Sequence, residues 1–163
     1  MNASDVMCPP GGERRLTAGE VDLVHVMFGS AVDTEGVLIK RRKWFPFQPG
    51  RVVMAPCGHL HFHPDGPHYE ADFAQASLAA QGLFIHEMVH VWQAQVKGRY
   101  YLPLLRHPFC RYDYKLRPGK PFSAYGIEQQ AEIVRHAFLA SRGAPAEGAP
   151  DADRLETLLP FRD

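Results

Sequence analysis

Residues 83–93, LFIHEMVHVWQ, place His86, Glu87 and His90 in an HExxH arrangement, and this stretch constrains the chain more than any other. An α-helix turns about 100° per residue, so His86 and His90 stand about 40° apart on one face, with Glu87 about 60° beyond His90. Two imidazoles so placed can bind one cation. Zinc suits neutral imidazole, and a catalytic zinc site takes three protein ligands and leaves a fourth position for water. Glu87 is placed to take a proton from that water. On the other side Ile85, Val89, Trp92 and Val96 recur at helical spacing and read as a buried stripe anchoring the helix. The pattern fixes only three positions and also arises by chance on amphipathic helices, so a zinc site requires a third ligand elsewhere in the chain.

At 163 residues with 45% apolar composition, the chain has the length of one domain with a real core. Eighteen basic and eighteen acidic residues balance, so no global field favours nucleic acid or an anionic membrane. No apolar run approaches the ~20 residues of a transmembrane helix, and MNASDVMCPPGGERR lacks the basic-then-apolar plan of a signal peptide. These features predict a soluble cytoplasmic protein, with export by a route that ignores signal peptides left open. Cys8, Cys57 and Cys110 are an odd count at wide spacing, which fits reduced thiols better than a disulfide framework.

Residues 1–15 read as a flexible N-terminal arm broken by Pro9, Pro10, Gly11 and Gly12. Thr17 with Glu20 forms a capping box, and Val21, Val24 and Phe28 follow at helical spacing up to Gly29. Residues 37–47, 51–55 and 59–63 predict short strands. In the last of these His59, His61 and His63 share one face, which reads as the polar face of an edge strand bordering the cleft and pairing with an extended peptide. Asp72 or Ser77 caps the long helix, which Gly98 stops near Lys97. Residues 99–125, with four prolines and many aromatics, read as a long ordered loop beside the site. Residues 127–140 predict a helix with the core stripe Ile127, Ala131, Val134 and Phe138. A Gly/Ala/Pro-rich linker and a short helix acting as a surface brace occupy 141–163, leaving 16–140 as the single catalytic domain.

The third ligand is sought on the 127–140 helix. Glu128 lies 38 residues after His90 and opens EQQAE, with Glu132 one turn later. A carboxylate on a second helix crossing the first completes a His, His, Glu set, and an acid one turn on can accept the other N–H of a ligand histidine. Here the chain resembles the gluzincin metallopeptidases, in which HExxH is followed on a later helix by Glu, three residues and an acid. The resemblance implies His86, His90 and Glu128 as zinc ligands, Glu87 as general base and Glu132 as the acid behind a ligand histidine, where the family usually has Asp. GHLHFHP followed by LFIHEMVHVWQ, with YGIEQQAEIV beyond, is also similar to small peptidase-like domains labelled Rhs or Vgr related near bacterial contractile injection systems. That likeness covers roughly residues 50–140 and implies a possible partner in a secretion apparatus.

The fold expected is α+β and zincin-like: a small antiparallel sheet packed on the active-site helix and on a second, ligand-bearing helix. The function expected is zinc-dependent hydrolysis of a peptide or protein substrate, with one zinc ion per chain. Tyr112, Tyr114 and Tyr125 in the loop offer donors for a developing oxyanion, and Tyr125 is chosen as nearest the ligand helix in sequence. Two alternatives stand beside this. SprT-like proteases take a third histidine some fifteen to twenty residues after HExxH, where this chain has His107, and a noncatalytic metal-binding adaptor or cargo module would use the same ligands without turnover.

Overall fold

The computed structural model describes residues 8–161, an α+β arrangement with three short strands and five α-helices among them. Strand β1 spans Glu13–Arg15, helix α1 Ala18–Phe28, β2 Leu38–Lys40, β3 Leu60–His61, α2 Leu78–Lys97, α3 Tyr101–Leu105, α4 Ile127–Ser141 and α5 Ala152–Leu158. The sheet order is β1-β2-β3, with β1 antiparallel and β3 parallel to β2, so the sheet is mixed where an antiparallel one was expected. Among the described residues no helix is long and apolar enough to cross a membrane.

Helix α2 starts where Ser77 Oγ accepts from Ala80 N and ends at Gly98, whose φ of 98° is open to a residue without Cβ. Its burial runs around the whole circumference from Phe84 to Val91, His86, Glu87 and His90 included. The expected stripe therefore holds only in part: Ile85 and Val89 are buried, but Val96 is 56% exposed because the helix projects beyond the core in its last turn. Along one side α2 packs on α4, which buries Ile127, Ala131, Val134 and Phe138 as its spacing predicts. Toward the sheet, Phe73 bridges Phe62, which follows β3, and Phe84 on α2, with ring centroids 5.5 and 5.2 Å apart.

Three expected strands shrink for identifiable reasons. The 37–47 segment is extended only over Leu38–Lys40, because the chain bends from Arg41 on and turns at Pro46. Residues 51–55 keep a single antiparallel bridge, Met54 to His61. The buried Gln48 amide replaces the missing ladder by donating to Val52 O at 2.8 Å and His61 O at 3.1 Å. Both main-chain groups of His61 are bonded to Met54, so the outer edge of β3 is already occupied, contrary to the expected peptide-pairing edge. His59 and His63 accept from the backbone N–H groups of Leu38 and Asp65, so these two of the row serve backbone.

The terminal segments differ from expectation as well. Residues 1–7 of the expected arm lie outside the described residues, but Cys8 is buried against Tyr69 and residues 13–15 form β1. The short last helix is more than a surface brace: Leu155 is fully buried, and Phe161 packs on Phe28 and Trp92.

Thr17 and Glu20 form the expected capping box, and Glu20 does more than cap. Fully buried, its carboxylate accepts two bonds from Arg14 at 2.8 Å, one from Thr17 N and one from Phe73 N. One side chain thus ties β1, α1 and the turn before α2. Replacing Glu20 by Ala strands a buried guanidinium and is expected to lower stability by about 3–5 kcal/mol, measured by urea denaturation. Burial and the nearby Lys40 hold the His61 imidazole down at about 4. Its folded pKa lies below its unfolded one, so the stability linked to its neutral form is present above pH 6.5 and is lost as pH falls toward 4. Denaturation midpoints should show this loss, and His61→Asn should flatten it.

Candidate metal centre

Helix α2 carries His86 and His90 one turn apart, and α4 lays Glu128 across them from its first turn. Both Nε2 atoms approach the same oxygen, Glu128 Oε2, at 3.2 Å for His86 and 3.1 Å for His90. The ligand atoms of the three residues lie within 4.8 Å of one another, and all three residues are buried.

The opposite ring nitrogens are committed. His86 Nδ1 donates to Glu132 Oε1 at 2.7 Å, and His90 Nδ1 donates to Gln93 Oε1 at 2.8 Å. The Gln93 amide can present only its oxygen to His90, because its nitrogen donates to Ile127 O and to Gln130 Oε1. Gln130 in turn donates to Tyr125 O. Glu132 is held from behind by a chain: Tyr114 O–H donates to His136 Nδ1 at 2.6 Å, and His136 Nε2 lies 3.3 Å from Glu132 Oε2. With Nδ1 as the donor, the neutral tautomer of each ligand ring points an Nε2 lone pair at a carboxylate oxygen. Three acceptors facing one another repel unless positive charge lies between them.

Protons or a metal ion can supply that charge. Burial opposes charging His86, but its hydrogen bonds to Glu128 and Glu132 outweigh it and hold its pKa up at about 9. Burial alone would raise the carboxyls of Glu128 and Glu132. Hydrogen bonds from the two ligand imidazoles to Glu128, and from His136 and His86 to Glu132, keep both well below the usual carboxylate range instead. A divalent cation competes for the same point. Donors about 2.1 Å from one tetrahedral ion stand roughly 3.4 Å apart, a few tenths of an ångström beyond the separations from Glu128 Oε2 to the two rings. Glu128 Oε1 is buried without a hydrogen bond, its nearest cation being Arg106 Nε at 3.3 Å. The donor set fits zinc.

Glu87 stands apart from the ligand cluster. It is buried, its Oε2 has no hydrogen-bond partner, and burial pushes its carboxyl up. With His86 it lines an open cleft of about 310 Å³, bordered by Arg51, Val52, Arg106 and Tyr112. The expected oxyanion donor is not brought there. The Tyr125 hydroxyl accepts from Arg117 N and donates to Lys115 O, because the loop turns that ring toward its own backbone. Tyr112 lines the cleft instead, stacked on His86 with centroids 6.1 Å apart. His107 is exposed and accepts from Phe109 N, away from the cluster, while its neighbour Arg106 points in. Sequence reasoning missed Arg106, Gln93, Gln130 and His136. For two of these a signal existed: Gln93 follows His90 by three residues and His136 follows Glu132 by four, so each shares a helix face with the residue it orients.

No family model matches the chain. Among curated proteins it is similar to the type VI secretion system spike protein VgrG2b of Pseudomonas aeruginosa, at 40% identity over 132 residues, which is 77% of this chain. The match spans only 13% of the length of that relative. Among solved structures it is similar to the effector domain of Pseudomonas aeruginosa VgrG2b, with a TM-score of 0.69 and 34% identity, covering 94% of this chain and 83% of that one.

The buried amide network makes a specific demand on any divalent ion held here. Gln93→Leu removes the acceptor for His90 Nδ1 and unpairs Ile127 O, and should weaken zinc affinity by about 10–100-fold in a chelator competition. Glu128→Ala should weaken it further, and His107→Ala should leave it unchanged.

Proposed function

The chain belongs to the family of the VgrG2b effector domain, and on that premise we propose that it is a zinc metallopeptidase module delivered with a secretion-system spike. The observation that carries the reading is Glu87, a buried carboxylate with an unpartnered oxygen, lining the same open cleft as His86. A site that held metal for structure alone would gain nothing from such an oxygen, and leaving it unpaired costs about 1–3 kcal/mol.

His86, His90 and Glu128 would hold the ion, with Glu132 and Gln93 fixing the ligand rings through Nδ1. When bound, zinc supplies a Lewis acid that lowers the pKa of water toward 7 and polarises a substrate carbonyl. Glu87 takes the proton of the attacking water on its free oxygen and returns it to the leaving amine. The burial that raises the Glu87 carboxyl makes it a stronger base for the first transfer. Tyr112, which lines the cleft, would meet the negative charge that develops on the carbonyl oxygen. Glu132, His136 and Tyr114 keep the His86 ring oriented throughout.

A second reading, a noncatalytic metal-binding cargo module, draws support from the spike relative. The two are separated by Glu87→Gln, which should keep one zinc per chain by elemental analysis and lose casein or peptide cleavage by at least about 10³-fold. Equal turnover by the variant would remove Glu87 as the base. A zinc-loaded wild type inert toward a broad peptide library would favour the cargo module.

A further inference from the structure

A second cavity of about 300 Å³ adjoins the metal cleft and shares Val52, Arg106 and Tyr112 with it. Apart from His107 and Cys110 its remaining wall is apolar, built largely from Trp44, Met54 and Leu102. The two chambers differ in chemistry. Glu87, Glu132 and Arg135 line the cleft, whereas among the described residues no carboxylate lines the second cavity, and the guanidinium at its border, Arg106, is already paired with Glu128. A substrate lysine or arginine would enter without a counter-ion, and a substrate acid would meet a guanidinium that is already neutralised. A small side chain would leave the space unfilled. Leucine, methionine or phenylalanine would bury apolar surface against Trp44, Met54 and Leu102.

We propose that this cavity is a specificity subsite that takes one large apolar side chain of the peptide, from a residue adjoining the scissile bond. The inference rests on the peptidase reading for its adjacency to a scissile bond, and on the shared wall for its adjacency to the site. Tyr112 belongs to both chambers: its ring stacks on His86, and it lines the apolar cavity as well as the cleft. Filling the cavity therefore presses on the wall that also frames the reacting carbonyl, which couples side-chain recognition to orientation.

The test uses the zinc-loaded 163-residue chain and Trp44→Asp. Trp44 is 40% exposed and its hydrogen bond to Gln48 Oε1 runs from the main-chain N–H, which the replacement keeps. In a peptide library the wild type should favour Leu, Met or Phe over Ala at one fixed position by at least about tenfold in kcat/KM. Trp44→Asp should erase that preference and gain activity toward Lys there. In parallel, zinc-loaded Glu87→Gln is titrated with acetyl-Gly-Leu-Gly-amide and acetyl-Gly-Ala-Gly-amide while the Trp44 indole N–H is followed by NMR. Cleavage without an apolar preference, or with one that Trp44→Asp leaves intact, overturns the subsite and leaves the peptidase reading standing. No cleavage, but an indole shift with the leucyl peptide alone, supports the cavity as a peptide site and removes hydrolysis. No cleavage and no shift overturns both.

Discussion

Two imidazole nitrogens and a carboxylate oxygen converge on one point from two helices, and the rest of the molecule is arranged to make that repulsive geometry persist. Each ring is fixed from behind by an acceptor on its Nδ1, one a carboxylate and one an amide whose own orientation is forced by two further bonds. Such a preset is expensive in an empty core and favourable around a cation. The packing of α4 along α2 supplies the rigidity, and the aromatic ladder from Phe62 through Phe73 to Phe84 fixes α2 from the other side. The Arg14–Glu20 pair, though distant from the cleft, belongs to the same scheme, because it anchors the turn that carries Phe73.

Relatedness and geometry carry different parts of the functional argument. The likeness to the VgrG2b effector domain gives a family and a secretion-system context. The proposed chemistry rests on the residues themselves: a candidate ligand set, a buried carboxylate with an unpaired oxygen, and an open cleft that shares residues with a second, largely apolar chamber.

Helical periodicity made much of this legible beforehand. His86, Glu87 and His90 fall on α2, Glu128 and Glu132 on α4, and the Thr17 cap and Gly98 stop stand where local chemistry requires them. A periodic signal is local, and helices satisfy their backbone locally. The strands were overdrawn because their pairing depends on distant partners: Gln48 satisfies carbonyls that a ladder would otherwise bond, and Met54 takes the edge of β3. Residues 99–125 hid the remaining site groups for the same reason. Nearness to α4 in sequence favoured Tyr125, yet loop tertiary structure turned that hydroxyl to Arg117 and Lys115 and brought in Tyr112 and Arg106, which carry no periodic signature.

The loop touches the ligand shell at two separate places. Arg106 reaches Glu128 directly, and Tyr114 reaches His86 through His136 and Glu132. A wall of the cleft and the ring orientation of a ligand are thereby one mechanical unit. Whatever settles the loop also settles the histidine, and by thermodynamic reciprocity whatever fills the ligand shell settles the loop. At the proposed metal site a cation and a guest in the cleft would then be coupled, each changing the affinity for the other by the same factor.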